Sequence, residues 1–89
     1  MIDADLKSAS LREADLQNST LINANLQGTG LSSVNLQDAN LSHSDLRNTD
    51  LSDTSLKNAL LEGATYNSRT TFPPDFNPEK RGMVFVLDQ

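Results

Sequence analysis

Cysteine and tryptophan are absent from this 89-residue chain, proline occurs three times and glycine four, and one Tyr and three Phe are its only aromatics. Without cysteine, neither a disulfide nor a thiolate metal site can staple a domain below the size at which an ordinary core is comfortably stable. The same absence fits a reducing compartment. No apolar run approaches the ~20 residues needed to span a bilayer, and no basic segment leads into an apolar one as a secretory signal would require. The chain therefore reads as soluble and cytoplasmic, with no membrane role. Basic residues are scarce as well, seven against twelve acidic, for a net charge of −5. That balance, with Tyr66 the lone aromatic before residue 69, argues against a nucleic-acid partner. Apolar residues make up 36% and mean hydropathy is −0.47, values that taken alone point to disorder.

A repeat overrides that reading. Leucine occupies every fifth position from Leu6 to Leu61, and Tyr66 takes the next place. Two residues before each of these central positions the side chain is small, as in Ala4, Ser19, Thr29 and Ala64, with Val34 the largest. The residue just before is mostly Asp, Asn, Ser or Thr, with Gly30 and Leu60 as exceptions. Internal periodicity of this kind outranks local propensity. On an α-helix, leucines five apart would drift by about 140° each time. On a flat strand they would alternate faces. Period five works if each pentad forms one side of a square, so that twenty residues close one coil and successive coils stack at ~4.8 Å. The central residue and the small one two before it then point inward, and the small one leaves room for four leucines per layer.

Units such as Ala4-Asp5-Leu6-Lys7-Ser8 and Ala24-Asn25-Leu26-Gln27-Gly28 resemble the A(D/N)LXX repeats of the pentapeptide-repeat family over residues 4–68. The stretch Tyr66 to Pro78 with Gly82-Met83 is similar to the ends of cyanobacterial members. The resemblance implies an all-β fold: a right-handed quadrilateral parallel β-helix of about three coils over residues 1–68, followed by a C-terminal capping tail, residues 69–89. Stacking by twenty sets Asp5, Asn25 and Asp45 in one column and Glu13, Ser33 and Asp53 in another. Residues 16–37 carry no charge, so like charges are not adjacent.

In the tail the repeat fails, with Arg69 falling in the small slot and Thr71 in the central one. Three prolines stop regular pairing there. Phe72 and Phe76 read as a plug over the last coil, and the run from Met83 to Leu87 as a segment laid along its side, able to cover Leu60.

Candidate chemistry is thin. Ser42-His43-Ser44-Asp45 contains the residue types of a catalytic triad, but the repeat turns Ser44 inward and leaves His43 as a solvated side chain. No His or carboxylate spacing matches a metal site. Gly28 and Gly30 belong to turns and not to a phosphate loop, and no cofactor is implied. Asn18-Ser19-Thr20 matches a glycosylation sequon in a chain without a secretory signal. The expected function is a non-catalytic structural or protein-interaction module. The family resemblance brings two alternatives: a DNA-mimicking inhibitor of a topoisomerase such as gyrase, or a regulatory appendage of a longer chain. Against the first stand the short rod and acids mixed with Lys7, Arg12, Arg47 and Lys57. Ile2, Ile22 and Leu60 fall on one face, and the first coil has no shield for its edge. These features point to a homodimer through the face of Ile22 or through the N-terminal edge, or to a natural chain that extends further upstream.

Overall fold

The computed structural model describes residues 2–87. Parallel bridges link Asp5 to Asn25, Asn25 to Asp45 and Asp45 to Thr65, and the columns that start at Ser10, Asp15 and Thr20 repeat the same twenty-residue step. Four pentads therefore make one coil. The backbone bonds run between layers, as when the Leu6 amide donates to the Asn25 carbonyl at 2.8 Å and the Asn25 amide to the Ala4 carbonyl at 2.8 Å. A three-residue turn closes each side, the Ala9 amide donating to the Leu6 carbonyl at 3.0 Å.

The repeat's side-chain preferences follow from this geometry. Asp or Asn before the central leucine places Oδ1 on the amide two residues ahead, at 3.2 Å in Asp5–Lys7 and 3.0 Å in Asn35–Gln37. Such a side chain satisfies a turn amide that has no ladder partner. The residue two after the leucine has a positive φ at every unit from Asp3 to Gly63 except Asp53. Asn, Asp and Gly are the residues that tolerate this region. At Gly63 the absent Cβ has a second consequence, because the His43 imidazole of the layer before fills that space.

The leucines from Leu21 to Leu61 and the small residues beside them form one buried core. Threonines in the small slot are satisfied there: Thr29, Thr49 and Thr54 each donate to the carbonyl 23 residues earlier, at 2.8 Å. Ser44 lies in the same kind of slot, fully buried, and its hydroxyl has no partner.

The tail departs from the sequence-based expectation in two ways. Arg69 and Thr71 do not take the inward slots; Thr70 and Phe72 do. One extra residue at Tyr66–Asn67 lengthens the step, so Thr71 bridges Asp50 at 21 residues instead of twenty. The Asn67 side chain repairs the register: its Oδ1 accepts the Asn48 amide at 3.1 Å, and its Nδ2 donates to Asn48 Oδ1 at 3.0 Å. Thr70 then donates to the Leu46 carbonyl at 2.9 Å, as the other slot threonines do. Nor does the Met83–Leu87 run lie along the side. Strand β1 (Thr65–Tyr66) pairs in parallel with β2 (Val84–Phe85), so the run stacks on the end as a further layer, with Met83 buried. A short 3₁₀ turn, Glu79–Arg81, and a left-handed Gly82 lead into it.

Candidate functional site

The triad-like residues do not converge. Ser42 Oγ donates to Asn40 Oδ1 at 2.7 Å, Ser44 is buried, and His43 lies exposed over Gly63. Asp45 is held by Arg47 at 2.7 Å. Burial pushes the Asp45 carboxyl up, but hydrogen bonds and charge from Arg47 outweigh it and hold the group below its ordinary value. Among the described residues no group of three or more His, Asp or Glu could hold a metal ion, and no helix is long and apolar enough to cross a membrane. The acids form no continuous stripe, since the neutral layer of residues 16–37 interrupts every column.

The three aliphatics of the fourth side are not brought together. Ile2 and Leu60 are exposed, and Ile22 is half-buried. Between Ile22 and Leu60 runs the polar layer of Asn40 and Ser42. Leu60 borders a hollow of ≈ 520 Å³ rimmed by Glu62, Glu79, Lys80 and Arg81, and the tail does not cover it.

The two ends of the stack differ in kind. At the C-terminal end all four aromatics cluster. Tyr66 meets Phe72 and Phe85 edge-on, each at 5.4 Å, and Phe72 stacks on Phe76 at 5.0 Å. Arg81 lies over the Phe76 ring at 5.1 Å. Its guanidinium donates to the carbonyl of Ala59 at 2.7 Å, a ladder position, and to that of Leu56 at 3.2 Å, which also accepts the Ala59 amide in its turn at 3.0 Å. Phe72 and Phe76 are both partly buried and pack against the core. Arg81 and Asn67 escaped sequence reasoning, because their partners lie some twenty residues away and nothing local marks them. Asp50 ties the last unit down: hydroxyls of Ser52 and then Thr71, with the Ser52 amide, lower its carboxyl to about 2.

Among the described residues no aromatic ring or guanidinium covers the first layer. Ala4, Leu6, Ala9, Leu11, Ala14 and Leu16 point inward yet remain only partly buried. The backbone amides and carbonyls of Asp5, Ser10 and Asp15, whose counterparts Asn25, Gly30 and Asn35 both bond to the layer before, have no partner among the described residues. Asp3, Asp5, Lys7, Arg12, Glu13 and Asp15 are the charged residues of this first layer.

Comparison with known proteins agrees with this architecture. The family description "Pentapeptide repeats" matches residues 1–38 and 31–65 in eight copies. The crystal structure of alr5209, a pentapeptide repeat protein from Nostoc PCC 7120, is 30% identical, superposes with a TM-score of 0.80, and is matched over 94% of this chain and 74% of that one. The pentapeptide repeat protein Rfr23 from the cyanobacterium Cyanothece 51142 is 28% identical over 81% of this chain but 46% of its own, with a TM-score of 0.44. No curated protein sequence matches the chain. Repeat, ladder and relatives agree, and the chain belongs to the pentapeptide-repeat family.

Proposed function

We propose that this chain is a non-catalytic structural or protein-interaction module, a right-handed β-helix of about three coils that its own tail caps at one end and whose first described layer is left to pair with another segment. The observation behind this reading is the half-exposed floor of Leu6, Leu11 and Leu16. Apolar surface of this kind, ringed by unpaired strand edge, is a template for pairing. Capping is the role of the tail, through Phe72, Phe76 and Arg81. The fourth side is the weaker docking surface, since Ile2 and Ile22 are separated from Leu60 by a polar layer.

A photoreactive amino acid placed at Ser10, on the open edge, or at Gln27, on a side of the stack, tests the reading in cells. Docking by the end gives protein adducts from Ser10 and few from Gln27. Adducts from Gln27 alone, or from neither position, contradict it.

A further inference from the structure

The hollow beside Leu60 lies where the ladder is interrupted inside the chain, and we propose that it binds a free α-amino acid with an aliphatic side chain. In the lower layers of this side the ladder is complete. The Leu21 amide donates to the Asn40 carbonyl and the Leu41 amide to the Leu60 carbonyl, each at 2.7 Å. The Asn40 and Leu60 amides donate to the carbonyls of Ser19 and Ala39, each at 2.9 Å. The same step upward from Ala59 and Leu61 leads to Lys80, where the Glu79–Arg81 turn stands in place of a strand. Beyond this gap the ladder resumes, the Gly63 amide donating to the Gly82 carbonyl at 2.9 Å and the Val84 amide to that of Ala64 at 2.8 Å.

The gap leaves one ladder acceptor and one ladder donor, and only the acceptor is satisfied. The Ala59 carbonyl takes the Arg81 guanidinium at 2.7 Å. The Leu61 amide, in a buried residue, has no partner among the described residues. Both residues line the hollow, together with Lys80 and Arg81. A buried backbone N–H is rarely left unpaired, so this site lacks an acceptor. With two cationic side chains in the same lining, a carboxylate is the acceptor that the donors favour.

The lining holds the opposite charge as well. Glu62 and Glu79 border the hollow, and the Glu62 carboxylate lies over the Gly82 α-carbon, in space that a side chain there would need. None of these four charged side chains makes an ion pair among the described residues. Two acids and two bases around one opening complement a molecule that carries one charge of each sign. Leu60, 56% exposed, supplies an apolar wall. The volume of ≈ 520 Å³ lies within the roughly 300–1,000 Å³ of small-molecule sites. A free α-amino acid carries all three matching groups on one carbon: the carboxylate for the Leu61 amide and Lys80, the ammonium for Glu62, and the aliphatic side chain for Leu60. Within a peptide both charges are lost to amide bonds.

Titration of the chain with L-leucine, followed by amide NMR, tests the site. The Leu61 and Gly82 signals should shift and saturate, while that of Leu11, in the first layer, stays still. N-acetyl-leucine lacks the ammonium and leucinamide lacks the carboxylate, so each should bind roughly tenfold more weakly or worse. Glycine keeps both charges without the aliphatic body and should also bind more weakly. Glu62→Gln and Lys80→Gln alter exposed side chains, and each should weaken leucine binding by about fivefold. The same spectra show whether either variant keeps the fold. The proposal is overturned if Leu61 shows no saturable shift up to the solubility of leucine. It is equally overturned if N-acetyl-leucine or leucinamide binds as tightly as leucine, or if neither substitution changes the affinity.

Discussion

Leu11 and Leu51 occupy the same place in the pentad and the same column of the stack, yet Leu51 is fully buried and Leu11 only partly so. The difference lies in what stands above and below, because a pentad cannot cover its own leucine. Burial in this fold belongs to layers, and each end layer needs a separate solution. The C-terminal end has one, assembled from Arg81, Met83 and four aromatic rings. At the N-terminal end, the same repeat chemistry leaves an apolar floor exposed.

Alanine substitution at two depths probes this difference most strongly. Leu36→Ala removes a side chain enclosed by layers on both sides and should cost ~2–5 kcal/mol. Leu11→Ala removes one already half in water and should cost about 1–2 kcal/mol. Equal losses in denaturant titration would show that the ends are packed as tightly as the middle.

The closed end can be opened at one residue. Arg81→Ala takes the donor from the Ala59 carbonyl and a second donor from that of Leu56, which keeps the Ala59 amide, and should lower stability by about 1–3 kcal/mol. Arg81→Lys should recover little, because an ammonium on a shorter stem lacks the planar guanidinium that lies over the Phe76 ring while one of its nitrogens bonds both oxygens. Full stability in either variant would show that the guanidinium is not what ends the ladder.

The repeat core was legible because leucine marks it at every fifth residue, and its period excluded other folds before any coordinate was known. What sequence reading lost is the register beyond Tyr66. Once a single residue is inserted, a strict count of five puts Arg69 and Thr71 inward. The triad Thr70-Thr71-Phe72 nonetheless repeats the small–polar–large order one residue late, a signal that a six-residue unit would have captured. The left-handed column was also legible in the Asn, Asp and Gly that favour it two places after leucine. The closure by Arg81 was not, because it depends on carbonyls brought near by stacking. The alignment of three aliphatics on the fourth side does not make a continuous patch, because the polar layer of Asn40 and Ser42 runs between Ile22 and Leu60.

A pH titration examines how the last unit is fastened. Asp50 titrates at about 2 in the folded chain against an ordinary 3.8. A depressed folded value stabilises the fold above the unfolded pKa, and that contribution fades as pH falls from about 3.8 towards 2. Thr71→Val removes one of the two hydroxyls, so Asp50 should titrate nearer 3.8 and the acid dependence of stability should shrink. An unchanged carboxyl titration by NMR would mean that Thr71 does not hold it. The smallest effect belongs to the core slots. Ser44→Ala removes a hydroxyl without a partner and should be neutral or slightly stabilising. Thr49→Val breaks the bond to the Leu26 carbonyl and should cost ~1 kcal/mol.

Amide hydrogen exchange followed against protein concentration tests the contrast between the ends most directly. In dilute protein the amides of Asp5, Ser10 and Asp15 should exchange fast, while those of Val84 and Val86, bonded to Ala64 and Tyr66 at 2.8 Å each, stay protected. Raising the concentration should leave the C-terminal amides unchanged. Protection at Ser10 and Asp15 in dilute protein equal to that at Val84 and Val86, or fast exchange at Val84 and Val86, would contradict a first layer without ladder partners opposite a closed C-terminal one.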